Sequence, residues 1–272
     1  MCWACRSDRI IDETGQPMML LVDVGNTQTL IGLRHGDELV KVWRMATDVR
    51  RTADEHRAFL RSCFDLSAID IKDLSDAVVA SVVPEIQPAL FAALRTFVGD
   101  RLLVIGPGVR TGVAIRVDQP KEVGADRIVN AAGAFDLYKK PLIVVDFGTA
   151  ATFDVVAEDG AYLGGAIAPG LQASHDALVR RTSRLRRVEL IQPQRAIGRS
   201  TEEAMQSGIF YGYAGLITGL VDRLRSEYPK IELVVATGGL ARPMAEICDV
   251  IDAVEMDLTL HGLWCIWQRH GG

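Results

Sequence analysis

Apolar residues fall in short runs separated by polar, glycine-bearing turns, the pattern of strands alternating with helices. Leu20-Leu21-Val22 leads into Asp23-Val24-Gly25-Asn26-Thr27-Gln28-Thr29, and Leu30-Ile31-Gly32-Leu33 leads out. Runs of this length bounded by Gly and Asn predict buried strands joined by a tight turn. A polar turn, His35-Gly36-Asp37-Glu38, precedes a third strand over 39–44. Thr52 with Glu55 three residues on predicts a helix opened by a capping box, with Ala58, Phe59, Leu60 and Phe64 facing the sheet. Residues 76–83 predict a buried strand ended by Pro84, 84–98 a helix, and 102–105 a strand stopped by Gly106-Pro107-Gly108.

About 120 residues after the first copy the pattern repeats, a period too long for a solenoid. Leu142-Ile143-Val144-Val145 leads into Asp146-Phe147-Gly148-Thr149, followed by a second strand, the turn Glu158-Asp159-Gly160 and a third strand from Tyr162. The turns carry phosphate-binding equipment. Gly25 admits close backbone approach, successive N–H groups form an anion-binding concavity, and Asp23 can hold Mg²⁺, directly or through water. Two strand–Asp-Gly-turn–strand units across a cleft resemble the actin-like and sugar-kinase-like ATPases. The expected architecture is therefore α/β, with two ribonuclease-H-like domains over 19–118 and 119–272 and a nucleotide cleft between them. Residues 1–18 are expected to be a disordered extension or to follow a misassigned start codon.

Between the repeats, Val123 onward predicts a helix with Asp126 and Arg127 near its start, where the dipole and unpaired N–H groups favour an anion. That pair reads equally as an ion pair tethering the helix, or as a proton-accepting carboxylate beside a guanidinium that binds an anionic substrate. Gly164 to Gly170 reads as a glycine-rich turn before a helix. Arg180-Arg181-Thr182-Ser183-Arg184-Leu185-Arg186-Arg187 is a basic cluster, read as a solvated face, a site for a small acid or a subunit contact. Ser200 caps a long helix containing Gly208, Gly212, Gly215 and Gly219. Glycines lower helix propensity, so their number implies close helix packing, a dimer interface being one place for it. A strand over 231–236 enters Thr237-Gly238-Gly239, a place for adenosine to lie against backbone, and a helix over 259–268 closes the chain.

Composition narrows the function. The chain has 272 residues, 49% hydrophobic and 24% charged, with a net charge of −5, so neither nucleic acid nor an anionic membrane is expected as partner. No apolar stretch reaches membrane-spanning length and the first residues lack a secretory pattern; the expected location is cytoplasmic. Five cysteines make no disulfide framework at this length. Cys2 and Cys5 lack a second zinc-binding pair, and Cys63, Cys248 and Cys265 fit core positions.

The motifs in order are Asp-Val-Gly-Asn-Thr at 23–27, Pro-Lys-Glu-Val-Gly-Ala-Asp-Arg-Ile-Val-Asn at 120–130 and Val-Asp-Phe-Gly-Thr-Ala at 145–150. Gly-Gly-Ala-Ile-Ala-Pro-Gly at 164–170, Gly-Arg-Ser-Thr at 198–201 and Thr-Gly-Gly at 237–239 follow. Together they resemble type III pantothenate kinase from Met19 onward. The resemblance implies transfer of the ATP γ-phosphoryl to the 4′-hydroxyl of pantothenate, the first step of coenzyme A synthesis. It also implies a homodimer with a shared active site, Mg²⁺, and a monovalent cation, K⁺ or NH₄⁺. It assigns ATP binding to Asp23, Val24, Gly25, Asn26, Thr27, Gln28, Thr29 and Thr149. Pantothenate falls to Gly124, Ala125, Asp126 and Arg127 with Thr182 of the other subunit, Asp126 being the general base, and the monovalent cation to Asp146. Three positions depart from the family pattern. Val117 stands where a tyrosine packs on pantothenate, Ala151 removes a hydroxyl expected near the phosphates, and Arg186 replaces a proline. They motivate the alternative of a weak or inactive paralogue acting as a nucleotide-binding regulator.

Overall fold

The computed structural model describes residues 18–270; residues 1–17 of the expected extension, with Cys2 and Cys5, lie outside them, and Met18 already belongs to the first strand. Two five-stranded mixed sheets carry the molecule. The first is built from β1 (Met18–Val24), β2 (Gln28–His35), β3 (Glu38–Ala46), β4 (Leu74–Ser81) and β5 (Leu102–Val104), in the order β3-β2-β1-β4-β5. The second uses β6 (Leu142–Phe147), β7 (Ala150–Val156), β8 (Tyr162–Pro169), β9 (Leu233–Gly238) and β10 (Ala253–Val254), in the order β10-β9-β6-β7-β8. Reversed, the second order is the first: an antiparallel hairpin and third strand, then two strands added in parallel. The repeated motif is thus a repeated ribonuclease-H-like sheet.

Helices α1 (Ala53–Leu66) and α2 (Gln87–Val98) serve the first sheet, and α3 (Ala125–Tyr138) follows β5. In the second half come α4 (Leu171–Arg181), α5 (Thr201–Glu227), α6 (Ala241–Ala245) and α7 (Leu258–Arg269). The Thr52 capping box is present, with Glu55 N–H donating to Thr52 Oγ1 and Thr52 N–H to Glu55 Oε2 at 2.7 Å. The helix is rotated from its expected phase: Leu60 and Phe64 are buried, but so is His56, while Ala58 faces solvent. Both His56 ring nitrogens lack hydrogen-bond partners, and burial pushes the imidazole pKa down.

The chain divides into two compact units, and it crosses between them more than once instead of at the single break expected near 118. The first unit runs to Gly112 and takes in Lys121–Gly133 and the chain from Thr259; the second holds Val113–Pro120 and Ala134–Leu258. Helix α7 therefore belongs to the first unit. There Thr259 Oγ1 donates to Asn130 Oδ1 at 2.7 Å, and a Cβ at Gly262 would stand 2.0 Å from the Val129 carbonyl oxygen.

One element differs in kind from its expectation. The Gly164–Gly170 stretch is mostly strand β8, and Gly170 is the residue before α4. A Cβ at Gly165 would overlap the Phe153 carbonyl on β7, so glycine here serves strand approach. The register slips between Val155 and Val156, leaving Leu163 unpaired as a bulge. A matching slip between Leu33 and Arg34 leaves Val40 unpaired in the β2–β3 hairpin. Cys63, Cys248 and Cys265 are buried and in no disulfide, and among the described residues no helix is long and apolar enough to cross a membrane.

Candidate active site

In the first unit the turn after β1 is three residues long, Gly25-Asn26-Thr27, closed by Gly25 N–H donating to the Gln28 carbonyl at 3.1 Å. Asn26, Thr27 and Gln28 are exposed, while Thr29 is wholly buried. Asp23 is the penultimate residue of β1, paired across to Leu30 and Ala80 and half-buried. Val82 N–H donates to the Val24 carbonyl at 3.1 Å, bringing the chain after β4 beside the turn.

The start of α3 reaches the same edge of that sheet. A Cβ on Gly124 would lie 3.7 Å from Val82 Cγ1 and only 2.4 Å from Asp126 Oδ1. The carboxylate folds back over Gly124, a position that any side chain there would dispute. Arg127 N–H donates to Asp126 Oδ1 at 2.8 Å. Burial is the dominant influence on Asp126 and raises its pKa, opposed by that N–H and by the Arg127 charge. A partly desolvated carboxylate at a helix start, by the carboxyl ends of β1 and β4, suits proton acceptance from a bound hydroxyl. The first unit thus gathers Asp23 through Thr29 and Gly124 through Arg127 at one edge.

The second unit carries the remaining residues. Asp146 occupies the penultimate place in β6, opposite Thr152 and Thr237, matching Asp23 in the first sheet. Its turn is shorter, Gly148-Thr149, closed by Gly148 N–H to the Ala150 carbonyl at 3.0 Å, and Thr149 is exposed. At the end of β9, Gly238 has φ +88°, and a Cβ there would come 2.6 Å from Asp146 Oδ1. The missing side chain keeps that oxygen approachable. Asp23 and Asp146 offer hard carboxylate oxygens, the donor type that hydrated Mg²⁺ and alkali cations take, so the residues present fit the implied ions.

Val117 lies against Gly164 of β8, its Cγ1 3.5 Å from where a Cβ would stand, in a segment that bridges to Tyr162 through Arg116 N–H. Thr182 ends α4 and donates its hydroxyl to the Leu178 carbonyl at 2.9 Å. Ala151 departs from its expected place. It is fully buried in the core with Phe153 and Ala168, because alternation along β7 turns it away from the face carrying Thr152 and Asp154. The Thr152 hydroxyl remains, donating to Asp154 Oδ2 at 3.1 Å.

Thr47, just beyond β3, was not marked by any sequence signal, yet it touches the first turn through both hydroxyl and backbone. Only the bulge-corrected strand register would have placed it there.

A family model described as type III pantothenate kinase matches residues 19–223. A type III pantothenate kinase of Moorella thermoacetica is 47% identical over 253 residues, covering 93% of this chain and 100% of that one. Those of Syntrophotalea carbinolica and Geobacter sulfurreducens are 47% and 45% identical, covering 94% and 93% of this chain and 100% and 99% of theirs. Among solved structures, a Campylobacter jejuni protein titled as of the Baf family of transcriptional activators superposes with TM-score 0.58 at 19% identity, covering 93% of this chain and 98% of that one. The reductive activator for corrinoid,iron-sulfur protein superposes with TM-score 0.55 at 12% identity, over 94% of this chain and 61% of that one. At these identities the two structures speak to fold alone.

Proposed function

Because the chain belongs to the type III pantothenate kinase family, and is thereby an ATP-dependent kinase, we propose that it transfers the ATP γ-phosphoryl to the 4′-hydroxyl of pantothenate with Asp126 as general base. The observation that carries this reading is the Asp126 carboxylate, desolvated and folded over Gly124 at the edge where the Asp23–Thr29 turn emerges. Burial raises its proton affinity while its place near a helix start keeps the anion accessible. Asp126 accepts the hydroxyl proton, and Arg127, Gly124 and Ala125 hold the acidic substrate. The backbone of Val24 through Thr29 takes the phosphates, and Thr149 adds a hydroxyl to the nucleotide. Phosphoryl transfer is chiefly positioning and charge stabilisation, so one oriented carboxylate supplies enough acid–base chemistry. When bound, Mg²⁺ at Asp23 and K⁺ or NH₄⁺ at Asp146 would supply positive charge to the phosphates. The same reading puts this activity in the cytoplasm.

Assembly as a homodimer belongs to the same reading. Gly208, Gly212, Gly215 and Gly219 form one exposed stripe along α5, with no atom beyond their own helix backbone and chain neighbours within 4 Å of the position a Cβ would take. Packing inside the chain does not account for them; a second copy of α5 does. An apolar groove of about 530 Å³ between α4 and α5 adjoins the stripe, lined by Leu178, Leu185, Gly208, Gly212 and Leu216. Leu185 lies in the Thr182 segment, which supports delivery of Thr182 to the partner's substrate.

ADP release from ATP and Mg²⁺, with and without pantothenate, in K⁺ and in Na⁺, tests the proposal. Pantothenate-dependent release that requires K⁺ is expected. ATP binding without turnover would favour the regulator, with Val117 rather than the buried Ala151 as its main sequence support.

A further inference from the structure

The two Asp-Gly turns are secured differently. The second is a two-residue turn closed by Gly148 N–H to the Ala150 carbonyl, whereas the first is a residue longer and is also gripped from outside by Thr47. Thr47 N–H donates to the Thr27 carbonyl at 3.0 Å, and Thr47 Oγ1 donates to the Gly25 carbonyl at 2.7 Å. The hydroxyl also meets Thr29 Oγ1 at 2.9 Å. A hydroxyl has one proton, and that of Thr47 goes to Gly25, so Thr29 donates to Thr47. The relay therefore runs from Thr29 to Thr47 to the Gly25 carbonyl, all within the first unit.

The consequence follows from peptide geometry. The described chain has no cis peptide, and in a planar trans unit the C=O and the following N–H point in opposite directions. With the Gly25 and Thr27 carbonyls turned to Thr47, the N–H groups of Asn26 and Gln28 both point to the opposite side. Two N–H groups presented on one side, beside a carboxylate-bearing strand end, are the donors a nest for phosphate oxygens uses. We propose that Thr47 is a positioning residue that sets the nucleotide-facing orientation of the Asn26 and Gln28 amides, acting through the turn without touching ATP. This inference rests on the phosphate-binding reading of residues 23–29.

Thr47→Val keeps the shape and the backbone donor but removes the relay, leaving the buried Thr29 hydroxyl without its acceptor. Losing one such bond predicts a KM for ATP raised about tenfold, with the KM for pantothenate within about twofold of wild type. Thr47→Ser, which retains the hydroxyl, restores ATP affinity to within about twofold. Equal rises in both KM values, failure of serine to rescue, or a lowered melting temperature with unchanged ATP affinity would each overturn the proposal. Titration with a fluorescent ATP analogue and Mg²⁺ is run on the same proteins. If wild type binds that probe but does not phosphorylate pantothenate, the kinase reading fails, and Thr47 is judged on probe affinity alone. Should the valine variant not fold, Thr29→Val, which removes the first donor of the relay, is measured in its place with the same expected direction.

Discussion

At the scale of single residues, Asp126 shows how a functional group is held against its own stability. Its pKa lies above the unfolded value because burial disfavours the anion. A carboxyl raised in this way contributes stability below the unfolded pKa of about 3.9, and that contribution is lost as pH rises through the folded value. At neutral pH the ionised carboxylate therefore weakens the fold. Asp126→Asn should lower turnover by about 10²–10⁴ while raising the melting temperature at pH 7, since an amide oxygen still accepts the Arg127 N–H. The gain should vanish near pH 3.5. Parallel thermal melts and steady-state rates across that range check both halves; unchanged turnover would remove Asp126 from the base role. Gly124 belongs to the same device, because the carboxylate occupies the space a side chain would need.

At the scale of elements, α5 carries the clearest tension between local preference and structure. Its four exposed glycines each cost about 1 kcal/mol of helix propensity relative to alanine, and a Cβ added at any of them would meet no other part of the chain within 4 Å. If α5 seats the proposed second copy, Gly212→Arg should leave the helix content by circular dichroism intact, halve the mass seen by light scattering and lower pantothenate turnover. A protein that stays dimeric after this change would place the subunit contact elsewhere. Much of the element plan was legible beforehand, for local reasons. The Thr52–Glu55 box, the Pro84 stop and the two Asp-Gly turns each involve residues only a few positions apart. What could not be read depends on register. Counting back from the His35–Glu38 turn pairs Thr27 with Ala46, whereas the bulge at Val40 shifts the partner by one and brings up Thr47. A one-residue slip exchanges the faces of a strand, so Thr47 was invisible. The same limit hid Ala151, because only the pairing of β7 shows which of its neighbours face the core.

At the scale of the whole molecule, the ribonuclease-H-like repeat was legible because both copies carry the same strand–turn–strand signature, but the exchange of helices was not. No local pattern says that α7, the last element, completes the first unit. The contacts are close: Gly262 against Val129, Thr259 bonded to Asn130, and Leu260 reaching to within 2.8 Å of the Cβ position at Gly32. Gly262→Ala should destabilise the protein by about 2–3 kcal/mol, as overpacking does. Urea unfolding combined with limited proteolysis would show it, with cuts appearing first in the 18–112 region while the second unit persists; early loss of both together would show that the units unfold as one. The Asn130 contact also gives the last residue of the 120–130 motif a structural part, since it fastens α7 to the first unit. The seat of α7 has a further consequence for how the protein is made. Of the described elements α7 is synthesised last, so the half that holds Asp23 and Asp126 stays incomplete until the chain beyond residue 258 has been made. Until then the nascent chain bears an apolar seat between β2 and α3 that α7 fills in the finished fold. A ribosome stalled shortly before residue 258 yields a chain with every assigned active-site residue present and no finished first unit to hold most of them.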